Sequence, residues 1–350
     1  MYAAQQKKII ILAILEILEK HTDAEHRLSA KGIIDRLDSE YGLAVDRKAV
    51  KRNLMDLIDF GYEIEYTEKP RTGRQGEDAT IYTDWYINRK FDNSELRLLI
   101  DGLLFSKHIP YSQCKDLIGK LIGLSSKYFV AHVNHVYSLP EKAPSNKAFF
   151  SIIDMLDEAI QHKNQVRFNY TEYGADKKKR LRSGSSGTPV EYLVNPYQMV
   201  TANGRYYLIG NLDKYDDIAH YRVDRIANLS IVEGSKVKPH EKVKGGASLK
   251  RDLPKHMAEH IYMYSEEGVR VTFKAGRNMM SDIVDWFGLG FTVKELDGAS
   301  VEITVKVNER AMFNWAMQYG HSVEVMKPKS LRDALAKTAA EMAEKYQGVE

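Results

Sequence analysis

The chain has 350 residues, 43% hydrophobic, 28% charged and 10% aromatic, which excludes disorder throughout and predicts two or three domains. Cys114 is the one cysteine, so a disulfide scaffold is excluded and the reducing cytoplasm is the expected location. The net charge of +3 announces no globally basic nucleic-acid binder, so a polyanion partner must be argued from local clusters.

Apolar spacing predicts a helix over residues 7–20, with Ile9, Ile10, Leu12, Ala13, Ile14, Ile17 and Leu18 on a wide face. Its apolar run is too short to span a bilayer, and no membrane association is expected. Ser29 caps a second helix carrying Ile33, Ile34 and Leu37, which Tyr41-Gly42 ends. Asp46 caps a third, lined by Val50, Leu54, Leu57 and Ile58 and stopped by Gly61. Strand-like runs at 62–67 and 80–87 flank a polar loop from Glu68 to Gly76. Three short helices and a hairpin are the order of a winged helix-turn-helix, assigned to residues 1–90.

Arg47, Lys48, Lys51 and Arg52 lie on the third helix, away from its apolar face. A helix entering a major groove needs long donors near its N-terminus for phosphates and guanine edges. With Lys69, Arg71 and Arg74 of the hairpin loop they are the candidate DNA-binding residues; the same four helix basics would also suit an ordinary solvated face. Residues 1–92 hold 15 Lys+Arg against 17 Asp+Glu, so Glu63, Glu65, Glu77 and Asp78 must face away from a duplex.

Two further helices, 93–109 and 113–128, fill a helical linker over 91–145, and the prolines between Leu139 and Ser145 mark its end. A helix over 149–163 precedes short strands at 166–170, 190–194, 199–202, 206–209, 218–223 and 229–232. Asn203-Gly204 between two of them is a type I′ turn pattern. A helix and five or six short strands predict a small β-barrel or rolled sheet over 146–234. Residues 176–188, with Lys177-Lys178-Lys179-Arg180 and then Ser/Gly, read as a mobile loop, and 235–267 as a linker beginning with a polar stretch. The tail, 268–350, alternates as strand, helix, strand, strand, helix, strand, with a last helix from Leu331; that order is ferredoxin-like.

Strand alternation puts Arg205 and Tyr207 on one face of their strand. On the neighbouring strand, Ala219, Tyr221 and Val223 turn to the core and His220 and Arg222 outward. Arg205, Tyr207, His220, Arg222 and Arg225 then converge on a surface suited to a phosphate-bearing ligand with a base to stack. The competing reading is that the arginines only pair with Asp213, Asp216, Asp217 or Asp224. His256-Met257-Ala258-Glu259-His260 has the H-x-x-E-H spacing of a zinc site but no identifiable third ligand, leaving a zinc hydrolase at His256 and His260 as a remote alternative. No Walker loop, G-x-G-x-x-G or G-x-S-x-G is present, so no catalytic residue, metal, cofactor or enzymatic activity is expected.

The tract Asn195-Pro196-Tyr197, Asn203-Gly204-Arg205-Tyr206-Tyr207-Leu208 and His220-Tyr221-Arg222-Val223-Asp224-Arg225-Ile226 resembles the WYL domain of bacterial transcriptional regulators, as does Phe168-Asn169-Tyr170. The naming tripeptide is Tyr206-Tyr207-Leu208 here, keeping the aromatic but losing an indole donor. Residues 1–90 resemble the winged helix that precedes such domains, and 268–345 their C-terminal extension. The resemblance implies an α+β multidomain chain: winged helix-turn-helix, helical linker, Sm-like β-barrel and ferredoxin-like end. It implies a DNA-binding transcriptional regulator, a repressor, that senses a nucleotide or oligonucleotide effector. A homodimer on double-stranded operator DNA is the expected assembly, because one helix reads few base pairs. A nucleic-acid-binding accessory protein that regulates no promoter is the alternative.

Overall fold

The computed structural model describes residues 2–72, 78–106, 109–129 and 148–347. It divides into two compact units, Met1–Pro144 and Ser145–Glu350. The architecture is mixed α and β, with three sheets among the described residues. The proline-marked boundary at 139–145 lies outside the described residues.

The first unit opens with three helices, α1 (Tyr2–His21), α2 (Ala30–Tyr41) and α3 (Arg47–Phe60). The caps are those the sequence predicts. The Ser29 side chain accepts from the Gly32 amide, the Asp46 carboxylate accepts from Ala49, and Gly42 and Gly61 end their helices in left-handed conformation. The hairpin β1 (Ile64–Thr72) and β2 (Asp78–Ile87) follows. Its arms are longer than expected, because Glu68, Lys69 and Pro70 pair with Tyr82, Ile81 and Thr80 instead of forming loop. Leu28 exchanges two backbone hydrogen bonds with Trp85, at 2.9 and 2.8 Å, an isolated bridge that ties the chain before α2 to the hairpin. Ile14, Ile17, Leu18, Ile33, Leu37, Val50, Leu54 and Trp85 form one core. Each large apolar side chain shut in this way contributes roughly 1.5–3 kcal/mol. Helices α4 (Asn93–Phe105) and α5 (Tyr111–Ile122) then build a smaller core around Leu96, Ile100 and Phe129.

The second unit starts with α6 (Phe149–His162), laid on a sheet ordered β4-β3-β5-β6-β7, with β8 also paired to β3. These strands are β3 (Gln165–Tyr173), β4 (Lys179–Leu181), β5 (Glu191–Ala202), β6 (Arg205–Leu212), β7 (Ile218–Arg222) and β8 (Ile226–Val232). The runs expected at 190–194 and 199–202 are one strand, bent at a register shift between Pro196 and Gln198. Opposite Pro196 stands Gly210, where a Cβ would lie 2.8 Å from the Asn195 carbonyl oxygen. Asn203 and Gly204 take the two positive φ values of the predicted turn, 51° and 71°. Lys179 and Arg180, expected in a loop, pair as strand β4 with Tyr173 and Glu172.

Residues 235–267 are packed structure. Helices α7 (Gly246–Arg251) and α8 (Leu253–Glu259) lie here, and Val243, Leu249 and Met263 are buried with Tyr197, Val200, Ile209 and Ile218 of the sheet. Beyond them come β9 (Gly268–Gly276), α9 (Met280–Phe287), β10 (Thr292–Glu295), β11 (Ser300–Asn308), α10 (Glu309–Gln318), β12 (Val323–Lys327) and α11 (Lys329–Gln347). The β-α-β-β-α-β order read from the sequence is the order found. Its four strands form an antiparallel sheet ordered β10-β11-β9-β12 around Phe273, Ile283, Phe287 and Trp315.

Candidate functional site

The α3 helix buries Val50, Asn53, Leu54 and Leu57 and leaves Arg47, Lys48, Lys51 and Arg52 exposed. They are not equivalent. The Lys51 ammonium sits 3.5 Å from the centroid of the Tyr82 ring on β2, a cation–π contact that ties α3 to the hairpin. Lys69 is tied as well, 2.8 Å from the Asp84 carboxylate, which that hydrogen bond holds below the usual carboxylate range. Arg74 and the Arg71 side chain lie outside the described residues, as do the side chains of Glu77 and Asp78. Glu65 is spent internally, accepting from the Tyr86 hydroxyl at 2.6 Å and Asn88 at 2.7 Å. Arg47, Lys48 and Arg52 are therefore the cations of this set with neither an ion pair nor a cation–π contact shown among the described residues.

A second cation cluster forms where β6, β7 and the turn after β7 meet. Tyr207 and Arg222 are register partners across the two strands. The Arg222 guanidinium grips Asp224 with two hydrogen bonds, Nε to Oδ1 at 3.1 Å and Nη2 to Oδ2 at 2.7 Å. Arg205 approaches the same carboxylate at 3.6 Å, and the Lys179 ammonium donates to the Asp224 carbonyl oxygen at 2.7 Å. Arg225 follows Asp224 in the chain, and its buried Nε has no hydrogen-bond partner among the described residues. The Arg222 backbone N–H donates to the Tyr170 hydroxyl at 2.9 Å.

Three cations, Arg222, Arg205 and Lys179, thus act on one carboxylate, and the charge of Arg225 reaches the neighbouring Tyr207. Burial alone would raise the Asp224 carboxyl, but the Arg222 hydrogen bonds and the charges of Arg222, Arg205 and Lys179 outweigh it and hold it low. Asp224 stays ionised, yet it neutralises only part of the positive charge. Its side chain is 13% exposed, while those of Arg205 and Arg222 are 29% and 22% exposed. The guanidiniums are reachable while the carboxylate is shut in. Tyr207 lies among them, its hydroxyl pKa raised by burial.

Alternation placed Tyr207, His220 and Arg222 on one face correctly, but that face is open only in part, at its Arg222 end. Residues 237–263 cover the Ile209 and His220 end, with Leu253, Met257 and Met263 packed beside Tyr207 and Ile209. His220 accordingly does not join the arginines. Its Nε2 lies 3.0 Å from Nε2 of His256 on α8, and its ring centroid lies 5.2 Å from that of His260. This corrects the outward direction read for His220 and supplies a third imidazole beside His256 and His260. Among the described residues no group of three or more His, Cys, Asp or Glu is arranged to hold a metal ion. Glu259, the acid of the H-x-x-E-H run, is held by Lys306 at 2.9 Å.

The Asn195-Pro196-Tyr197 tract is architectural. Buried Asn195 donates to Asn211 at 3.0 Å and accepts from Gln165 and the Lys238 amide, while Tyr197 donates to the Lys238 carbonyl at 2.8 Å. Burial pushes the Tyr197 hydroxyl up to about 12. Tyr206 packs edge-on against Phe149 at 5.8 Å. Sequence reasoning missed Lys179. Its place in a basic run was visible, but its pairing on β4 was not.

The WYL domain family matches residues 151–231, and the WCX domain family matches residues 267–343. The second unit of the chain therefore carries a WYL domain followed by a WCX domain. No curated protein matches the chain. Among solved structures, proteasome accessory factor B/C (PafBC) of Arthrobacter aurescens is similar at 17% identity over 93% of this chain, with a TM-score of 0.29. This chain spans about half of that one, 47%. A CRISPR Cas-related protein is similar at 15% identity over 92% of this chain and 79% of its own length, with a TM-score of 0.37.

Proposed function

We propose that this chain, with its WYL and WCX domains, is a ligand-responsive DNA-binding transcriptional regulator, acting as a repressor in the cytoplasm. In this reading residues 1–90 are a winged helix-turn-helix that lays α3 in a major groove, and residues 91–145 are a helical connection. Residues 146–234 are an Sm-like effector-sensing barrel, and 268–350 an extension that supports a homodimer. The observation that carries the reading is the convergence of Arg205 and Arg222 on the Asp224 carboxylate, with Lys179 on the Asp224 carbonyl and Arg225 adding its charge beside Tyr207. Partly shielded guanidiniums in surplus suit phosphate oxygens, and Tyr207 offers a ring for a base to stack on. The effector is an anionic nucleotide or short oligonucleotide. His220 is left out of this site. On α3 the duplex contacts fall to Arg47, Lys48 and Arg52, with Lys51 holding the hairpin in place.

Regulation requires that the effector bind the DNA-competent and DNA-incompetent states unequally, since equal affinity shifts nothing. Calorimetry with nucleotides and short single-stranded oligonucleotides tests the site. A charge-assisted contact is worth roughly 1.5–3 kcal/mol, so Arg222→Ala should lower affinity by about ten- to a hundred-fold. Failure of the wild type to bind any of these anions would remove the sensing assignment.

A further inference from the structure

The H-x-x-E-H run takes no part in the function proposed above, yet the fold brings a third histidine to it. His256 and His260 are each 5% exposed and stack on one another with ring centroids 4.1 Å apart. His220 reaches them from β7, its centroid 5.2 Å from each. The Nε2 atoms of His220 and His256 are 3.0 Å apart. At that separation one imidazole must donate its proton and the other must accept it, so the contact exists only while one of the two rings is neutral. His260 donates from Nδ1 to the His256 carbonyl at 2.7 Å, which fixes the ring over the end of α8. His220 Nδ1 is buried with no partner among the described residues, so no carboxylate stands ready to compensate a charge there.

The surroundings favour neutrality. Burial and the neighbouring imidazoles depress the pKa of His220 far below its ordinary value. Burial, His260 and Lys306 lower that of His256 to about 4. The carboxylates of Asp217, Glu259, Glu266 and Glu267 line the adjoining pocket with Lys244 and Lys306. Glu259 is engaged by Lys306, Glu267 by Lys244 at 3.7 Å, and Glu266 accepts from Asn308 at 3.1 Å. From the loop before β9, the Ser265 hydroxyl accepts the His220 backbone N–H at 3.2 Å.

We propose that His220 and His256, with the His260 ring stacked beside them, form an acid-sensitive latch, in which the contact between the first two clasps α8 and the chain after it onto β7 when they are neutral and releases them when they take up protons. What the latch covers is specific. Leu253, Met257 and Met263 of the clasped segment pack on Tyr207 and Ile209, so its release uncovers that apolar face of the sheet. The latch stands independently of whether the arginine cluster binds an anion.

The sign follows from linkage. The open state binds protons near the ordinary histidine value, about 6.5. The closed state resists them down to about 4 at His256. The clasp is therefore fully held above pH of about 7 and weakens as pH falls through that window. With two protons taken up on opening, the opening constant rises up to about a hundred-fold per pH unit at its steepest.

The test is hydrogen–deuterium exchange of the full chain between about pH 7.5 and 4.8, corrected for intrinsic exchange rates. Amides of residues 253–263 should open steeply as pH falls, while β9 and β11 stay protected. His220→Gln keeps a polar side chain but removes one titrating ring, so its dependence should fall to about ten-fold per unit. His256→Phe, which keeps a flat ring, should flatten it likewise. The idea is overturned if wild-type exchange over 253–263 does not change with pH, or if both variants follow the wild type. Protection of that segment by zinc at pH 7.5 would overturn it in favour of a metal site.

Discussion

Asp224 shows how a single residue can both limit and prepare a site. It holds Arg222 by two hydrogen bonds and draws Arg205 toward it, so the guanidiniums are oriented before any ligand arrives. Asp224→Asn should leave more positive charge uncompensated. Anion affinity should then hold or rise while stability falls by about 1–3 kcal/mol, the cost of weakening a largely buried charged partner. Paired calorimetry and urea unfolding would check this; a variant that lost affinity while keeping its stability would mean that Asp224 contacts the ligand. The pH dependence has a definite sign. The folded-state pKa of Asp224 is depressed, so its contribution is present above its ordinary value near 3.8 and lost as pH falls below it. This acid limb lies below the histidine window. At this scale the sequence was informative about pairs: strand alternation correctly put Tyr207 and Arg222 on one face. It could not reveal that a segment farther along the chain, residues 237–263, covers part of that face, because burial by a distant element leaves no mark on a strand's own period.

At the scale of elements, α3 and the hairpin act as one piece through Lys51 and Tyr82. Lys48→Ala with Arg52→Ala should weaken duplex binding without changing the fold. The slope of log affinity against log salt should become shallower by about 0.9 for each phosphate that is no longer neutralised. Lys51→Ala should instead also cost about 0.5–1 kcal/mol of stability, because the ammonium no longer sits over the Tyr82 ring. Equal salt slopes for wild type and the double variant would show that α3 is not the reader. Between β5 and β6 the requirement is steric. Gly210→Ala would place a methyl 2.8 Å from the Asn195 carbonyl oxygen, and overpacking of this kind typically costs about 1–3 kcal/mol. Thermal unfolding measures it directly. Helix caps at Ser29 and Asp46 and the Asn203-Gly204 turn were legible because local chemistry determines them. The Leu28–Trp85 bridge and strand β4 were not, since two or three residues of strand have no readable period and owe their form to a partner elsewhere in the chain.

On the scale of the whole molecule, the stretch at 235–267 was the least legible part. Its charged surface residues suggested a linker, while the apolar residues that matter, Val243, Leu249, Leu253, Met257 and Met263, are spaced too irregularly to announce a core. They bind the WYL sheet to the chain that leads into the WCX sheet, within one compact unit. If α3 reads DNA as part of a two-fold dimer, the operator should be an inverted repeat with half-sites about 34–36 Å apart or a multiple of that. Selection from a random duplex library, with light scattering on the free and bound protein, would report both properties. A monomer in both states would contradict the assembly.

If the arginine cluster senses a ligand, α3 must answer it with a change in operator affinity. The direct measurement is operator affinity at fixed salt, with and without the anion that calorimetry identifies, for wild type and Arg222→Ala. Wild-type affinity should change by about ten-fold or more, a coupling of about 1.4 kcal/mol. Arg222→Ala should bind the operator as wild type does and ignore the ligand. An operator affinity that saturating ligand leaves unchanged in the wild type, or that is lost outright in Arg222→Ala, would show that the arginine cluster is not a sensor coupled to α3.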